Sequence, residues 1–256
     1  MVNVKIFKDS TALFEQAAED FLMEIKKKIT NKNKLKVALS GGKTPQFFFD
    51  MLSEDRFKND IPWEKIQFFF VDERYVKLND PESNYHMAQV HLFAKIPAPK
   101  ENIFPVNTEL ADPQLSAADY RQQLLHVFHI NEQQLPSFDL CYLGAGNDGH
   151  TASLMPFTDA VNYYADNPAI ENDPMVIALW APKQNMYRIS LSPPVINQSK
   201  KIYFQVTGAE KAEAVKAILQ GQYDPVRYPA QLIKSIQGQV IWYLDQAAAS
   251  ALVGKK

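Results

Sequence analysis

Cysteine is almost missing from this sequence. Cys141 stands alone among 256 residues, so no disulfide can form within the chain, and a reducing cytoplasm is the compartment that suits such usage. An excess of charge of one sign is missing too: 27 basic side chains face 29 acidic ones, a formal net charge of −2. No global positive surplus is present to attract a nucleic-acid polyanion. Long apolar runs are absent, none approaching the ~20 residues that a membrane-spanning helix needs. The opening Met1-Val2-Asn3-Val4-Lys5 carries no signal-peptide cleavage pattern and reads instead as a first strand. There is no internal repeat and no low-complexity linker. The expectation is a cytoplasmic protein that engages neither nucleic acid nor membrane. With 46% hydrophobic residues, the chain has apolar material for a large core, and residues 1–256 are expected to form one domain.

What is present alternates between two periodicities. Phe14, Ala17, Ala18, Phe21, Leu22, Ile25 and Ile29 repeat at helical spacing, with Asp9 or Ser10 placed to cap the start. Residues 34–39 read as a strand. The helix after it has Pro45 in its first turn and Phe48, Met51 and Leu52 on its apolar face. Residues 68–71 and 138–143 are continuously apolar, which predicts strands covered on both faces. Further strands are expected at 175–180, 187–191, 202–207 and 240–244, and helices at 209–219, at 229–236 and shortly after Asp245. This alternation predicts an α/β fold: a mainly parallel, Rossmann-like sheet with helices on both faces, whose ligands gather at the carboxyl ends of the strands.

Three of those strand ends are conspicuously polar. Ser40-Gly41-Gly42-Lys43-Thr44-Pro45 joins a strand to a helix. It reads equally as a tight turn with an exposed lysine or as an anion site built from glycine amides and a helix amino end. It is not a Walker A loop, because Val37 stands where the first glycine belongs. Asp72-Glu73-Arg74 ends the most apolar strand, either because the chain surfaces there or because Arg74 faces an anion or carbonyl in a cleft. Gly144-Ala145-Gly146-Asn147-Asp148-Gly149-His150 contains a formal dinucleotide fingerprint. A nucleotide site would need an acidic residue ending a second strand, and the segment before Asp166 gives only a weak strand signal. The distinctive feature is His150 just beyond a flexible turn; an ordinary imidazole titrates at about 6.5 and can accept a proton near neutrality.

Other residues sharpen the choice. His86 and His91, and His126 and His129, lack the further ligands of a zinc site. No Gly-x-Ser-x-Gly elbow supports a serine hydrolase. Arg188 lies in a strand whose alternation sets it apart from the apolar face, and Lys211 begins a helix. Lys211 is either solvated or part of a phosphate site.

Taken together, the motifs SGGKTP (40–45), VDERYV (71–76), DPESNYHM (80–87), LGAGNDGHTASLMP (143–156), YRISL around Arg188, TGAEKA around Lys211 and the closing WYLDQAAA resemble the 6-phosphogluconolactonase family. That family is related to the glucosamine-6-phosphate isomerase/deaminases, and the resemblance spans almost the whole chain. It implies the NagB/RpiA/CoA transferase-like fold and hydrolysis of 6-phospho-D-glucono-1,5-lactone to 6-phospho-D-gluconate in the oxidative pentose phosphate pathway, without metal or cofactor. His150 is then the general base, with Asp148 in the same loop orienting the site and Arg74 approaching the substrate. Ser40, Gly41, Gly42, Lys43, Asp72, Arg188 and Lys211 shape the substrate and phosphate region. Two departures stand out: Lys43 replaces a common serine, and Leu154-Met155-Pro156 replaces a common LFP, the latter expected to matter little. The alternative is the isomerase/deaminase activity of the sister branch. A monomer or weak homo-oligomer is expected.

Overall fold

A computed structural model of the chain describes residues 2–28, 34–167 and 173–254. The elements run β1 (Val2–Phe7), α1 (Ser10–Lys28), β2 (Leu35–Leu39), α2 (Lys43–Leu52), α3 (Asp55–Lys58), β3 (Ile66–Phe70), β4 (Asp72–Arg74), α4 (Asn84–Ala88), β5 (Ile103–Phe104), α5 (Pro113–Phe128) and β6 (Leu140–Leu143). There follow α6 (Asp159–Asp166), β7 (Val176–Ala181), β8 (Met186–Leu191), α7 (Pro193–Asn197), β9 (Lys201–Val206), α8 (Ala212–Gln220) and β10 (Gln239–Asp245). At the start of α1 it is Asp9 that caps, its carboxylate accepting from the Ala12 N–H at 2.9 Å. Ile29 lies outside the described residues.

Seven strands form a parallel sheet in the order β1-β10-β9-β6-β2-β3-β5. Its central strands are apolar on both sides because both sides are covered. On β3, Phe68 packs toward Trp63 and Phe93, whereas Phe69 on the opposite face stacks on Phe104 and meets Phe128 of α5. Tyr142 of β6 lies against Phe48 of α2 and Phe21 of α1. The crossovers reverse direction at β2 and β6, neighbours in the sheet, and that is where an open α/β sheet leaves a crevice at its carboxyl edge.

The antiparallel sheet β4-β8-β7 was not expected. Asp72-Glu73-Arg74 does not merely end β3; it is a strand of this second sheet. Val71 makes the switch in one residue, its N–H donating to the Leu39 carbonyl and its carbonyl accepting from the Leu191 N–H, both at 2.8 Å. Arg188 on β8 turns from the apolar face toward the cleft and is only 6% exposed. Two expected helices are corrected. Residues 229–236 hold only a short 3₁₀ turn (Pro229–Leu232), because Asn197 takes the backbone groups that a helix would have paired: its side chain donates to the Leu232 carbonyl and accepts from the Lys234 N–H, and its carbonyl accepts from the Ile236 N–H. The segment after Asp245 is a turn, with the Ala248 N–H bonded to the Asp245 carboxylate. Asp166 ends helix α6 rather than a strand, which removes the structural context that a dinucleotide site requires.

Candidate active site

The carboxyl ends of β2, β6 and β9, three adjacent strands, open onto a cleft of about 610 Å³ whose far wall is the second sheet. After β6 the chain turns sharply and staples itself: the Gly146 N–H donates to the His150 carbonyl (2.8 Å), the Gly149 N–H to the Gly146 carbonyl (3.0 Å), and the Thr151 hydroxyl to the Gly144 carbonyl (2.8 Å). The Ala230 N–H ties this loop to the C-terminal region through the Gly149 carbonyl. The result presents His150 to the cleft with Asp148 behind it, Nδ1 to Oδ1 at 2.5 Å. A carboxylate only accepts, so Nδ1 of the neutral ring carries the hydrogen and Nε2 keeps its lone pair. That hydrogen bond, reinforced by Lys183 on Oδ2 at 2.9 Å, holds the Asp148 carboxyl well below the usual carboxylate range. Gly146 makes the pair possible: a Cβ there would lie 2.1 Å from His150 Nδ1 and 2.7 Å from Asp148 Oδ1.

On the opposite wall, the β4–β8 register sets Arg74 across from Arg188. Like charges facing each other across strands repel, and both Nε atoms are buried without a partner among the described residues. Arg74 donates through Nη1 to the Glu82 carbonyl at 2.5 Å. Burial pulls the Arg188 guanidinium down from its ordinary value, Asp72 pulls it up, and Arg74 pulls it down again. Asp72 is itself held by the Ser153 hydroxyl at 2.6 Å. Two guanidiniums facing each other, with the Asp72 carboxylate on the same wall, suit an anionic or carbonyl-bearing ligand.

The third side is the loop before α2. Gly41 packs so closely on Asn84 that a Cβ would fall 1.7 Å from Asn84 Oδ1, and the Asn84 amide N–H in turn donates to the Asp72 carbonyl. The loop after β9 approaches from the other side, with the hydroxyls of Thr44 and Thr207 at 3.4 Å. Lys43 from α2 and Lys211 from the turn leading into α8 both line the cleft.

Ser40, Gly41, Gly42, Lys43, Asp72, Arg74, His150, Arg188 and Lys211 thus share one cleft, and Asp148 sits just behind it. Met155 also lines the cleft, so its replacement of a common phenylalanine touches the site rather than only the core. The carboxylates beside Arg74 could be read from the sequence as orienting it, but not the interior place of Glu73. Glu73 is fully buried, and its carboxylate accepts from the backbone N–H groups of Arg74, Asn84 and Tyr85 and from the Ser83 hydroxyl. Burial pushes it up to about 7 against those donors. Ser153, Asn84, Lys183 and Gln184 were not foreseen; of these, Ser153 and Asn84 fall inside recognised motifs, and nothing local marks the roles of any of the four. His91, weighed for metal binding, is engaged with Asp50 at 2.9 Å and with Gln46. Among the described residues no group of three or more His, Cys, Asp or Glu side chains gathers as a metal would require. Cys141 is fully buried in β6, and burial pushes its thiol up to about 12.

A family profile described as glucosamine-6-phosphate isomerases/6-phosphogluconolactonase matches residues 8–242. The chain belongs to this family. Among its relatives is the 6-phosphogluconolactonase of Synechocystis sp., 36% identical over 249 residues, covering 97% of this chain and 98% of the relative. A crystal structure of the devB protein superposes with a TM-score of 0.86 at 35% identity, covering 99% of this chain and 100% of the other. The 6-phosphogluconolactonase of Trypanosoma brucei superposes with a TM-score of 0.85 at 25% identity, covering 99% of each chain. These two structures therefore share the overall fold of this chain along nearly its whole length.

Proposed function

We propose that this chain hydrolyses 6-phospho-D-glucono-1,5-lactone to 6-phospho-D-gluconate in the oxidative pentose phosphate pathway, its 256 residues acting as one lactonase domain. The observation that carries the reading is the opening of the His150–Asp148 pair onto the same cleft as Arg188, Lys211 and the Ser40–Gly42 loop. The substrate's phosphate is anchored by Arg188, Lys211 and the amides before α2, with Lys43 adding a cation beside them. Anchoring converts attack on the lactone carbonyl into a nearly intramolecular event.

His150 Nε2 takes a proton from the attacking water while Asp148 steadies the imidazolium that forms. Arg74, held by Glu82 and by the backbone that Glu73 fixes, faces the reacting end and offsets the negative charge developing on the carbonyl oxygen. As the tetrahedral species collapses, the C–O bond of the ring breaks and His150 returns its proton to the departing ring oxygen. One water is consumed and one carboxylic acid is formed, which ionises in solution. No electrons leave the substrate.

The protein is expected to work in the cytoplasm as a monomer or weak homo-oligomer; among the described residues no helix is long and apolar enough to cross a membrane. The test supplies freshly generated lactone and follows acid release against the spontaneous rate. Glucosamine 6-phosphate is run in parallel. Acid release well above background with no turnover of the amino sugar supports the reading; the reverse pattern replaces it with the isomerase/deaminase activity.

A further inference from the structure

We infer that Lys183, at the tip of the β7–β8 hairpin, is a positioning residue that keeps His150 available as a base by sharing the charge of Asp148. The inference rests on the lactonase reading for its purpose but not for its geometry. Asp148 has two carboxylate oxygens, and each has a separate partner: Oδ1 receives the His150 ring, and Oδ2 receives Lys183 Nζ at 2.9 Å. The two partners arrive from different parts of the fold. His150 follows β6 of the parallel sheet, whereas Lys183 hangs from the hairpin whose second strand carries Arg188. The neighbouring Gln184 lines the cleft, so the hairpin tip is a wall of the site as well as a tether.

The physical reason follows from charge. A bare carboxylate against an imidazole favours the protonated ring, and a protonated ring is no base. A cation on the second oxygen draws off part of that negative charge without breaking the hydrogen bond that orients the ring. Lys183 is 71% exposed at its side chain and Asp148 is 22% exposed, so solvent weakens the effect but does not abolish it. The other ionisable groups facing the cleft are Lys43 from α2, Asp72 and Arg74 from β4, Glu82 from the loop before α4, Arg188 from β8, and Glu210 and Lys211 from the approach to α8. Tyr228 packs behind the loop at Gly149. Among the described residues only His150 and Lys183 bond the Asp148 carboxylate, so Lys183 is the one residue that can be altered without touching the ring or the anion wall.

The experiment compares the full chain with Lys183→Met and Lys183→Arg. The His150 imidazole is titrated by NMR, its resonance assigned by its loss in His150→Ala, and the pH dependence of kcat/KM for lactone opening is recorded alongside. In Lys183→Met the ring should hold its proton more tightly: its midpoint, and the acid limb of the rate profile, should move up by about 0.5 pH unit. That shift makes turnover at pH 6 about 3-fold lower while turnover on the alkaline plateau and KM stay the same. Lys183→Arg should restore the parent profile. An unmoved His150 midpoint in Lys183→Met overturns the inference whatever happens to turnover. A parent chain that fails to open the lactone overturns the hydrolase reading instead, and the titration still decides the role of Lys183.

Discussion

At the residue scale, the site separates a chemical end from a binding end, and substitutions should report that division. His150→Ala removes the base but no anchor, so kcat should fall about 10²- to 10⁴-fold while inhibition by the product 6-phosphogluconate stays nearly unchanged. Arg188→Ala and Lys211→Ala should do the opposite, raising KM by about 10-fold or more through lost charge-assisted hydrogen bonds. Steady-state kinetics with fresh lactone reads both; retained turnover in the histidine variant, or unchanged KM in both charge variants, would reject these roles. Gly146 tests geometry rather than chemistry. The methyl of Gly146→Ala would collide with the His150 ring and with Asp148 Oδ1, and it adds no charge and removes none. Its kcat should drop at least about 10-fold, as expected when a reacting group is displaced by an ångström, with KM little altered. A crystal structure of the variant should show the imidazole rotated from Asp148.

At the element scale, short pieces of chain hold the site, and single buried groups hold those pieces. β4 is only three residues long, yet it carries Asp72 and Arg74; Glu73 between them points the other way, binds the start of α4 through three hydrogen bonds and accepts a fourth from the Arg74 N–H. Alternation along the strand assigns these jobs, placing the outer two side chains toward the cleft and the middle one into the interior. The strand before it is fixed from behind by α5. Tyr120 there donates its hydroxyl hydrogen to the Phe70 carbonyl at 2.9 Å and accepts from the Phe70 N–H at 2.8 Å. Tyr120→Phe leaves both buried backbone groups unpaired, at a cost of about 2 kcal/mol. For a chain of this length that corresponds to a Tm lower by roughly 4–8 °C, measurable by a thermal scan, with kcat affected far less than by any change at His150. An unchanged Tm would show that other groups replace the hydroxyl.

At the scale of the whole molecule, the cleft lies where two sheets and three crossover loops converge, so a ligand that fills it bridges segments far apart in sequence. Binding to the folded chain alone must then raise its stability. A ligand at 100 times its Kd contributes about 2.7 kcal/mol, so 6-phosphogluconate should raise the Tm by roughly 5–10 °C. Gluconate, without the phosphate, should raise it far less, and added salt should shrink the difference because the anchor is ionic. Equal shifts with the two compounds would show that the cations do not bind phosphate.

The sequence by itself determined the alternation of strands and helices, the parallel core and the residue types at three strand ends. Each of these is written locally: apolar runs such as 68–71, a glycine pair before Pro45, a histidine after a turn. Its motifs also determined the family, because several long segments occur in the right order. What only the tertiary structure decided is which of those ends meet. The strand order brings Ser40, Gly144 and Thr207 to adjacent positions although the chain separates them widely. The one-residue switch at Val71 creates a second sheet that no periodicity in residues 72–74 announces. Glu73, Ser153 and Lys183 gained their roles only through partners on other elements, and hydrogen bonding across such sequence distances leaves no local pattern to read. The two helices that do not form differ in cause: in residues 229–236 the distant Asn197 takes backbone groups that propensity alone assigned to a helix, whereas after Asp245 the carboxylate of Asp245 itself closes a local turn.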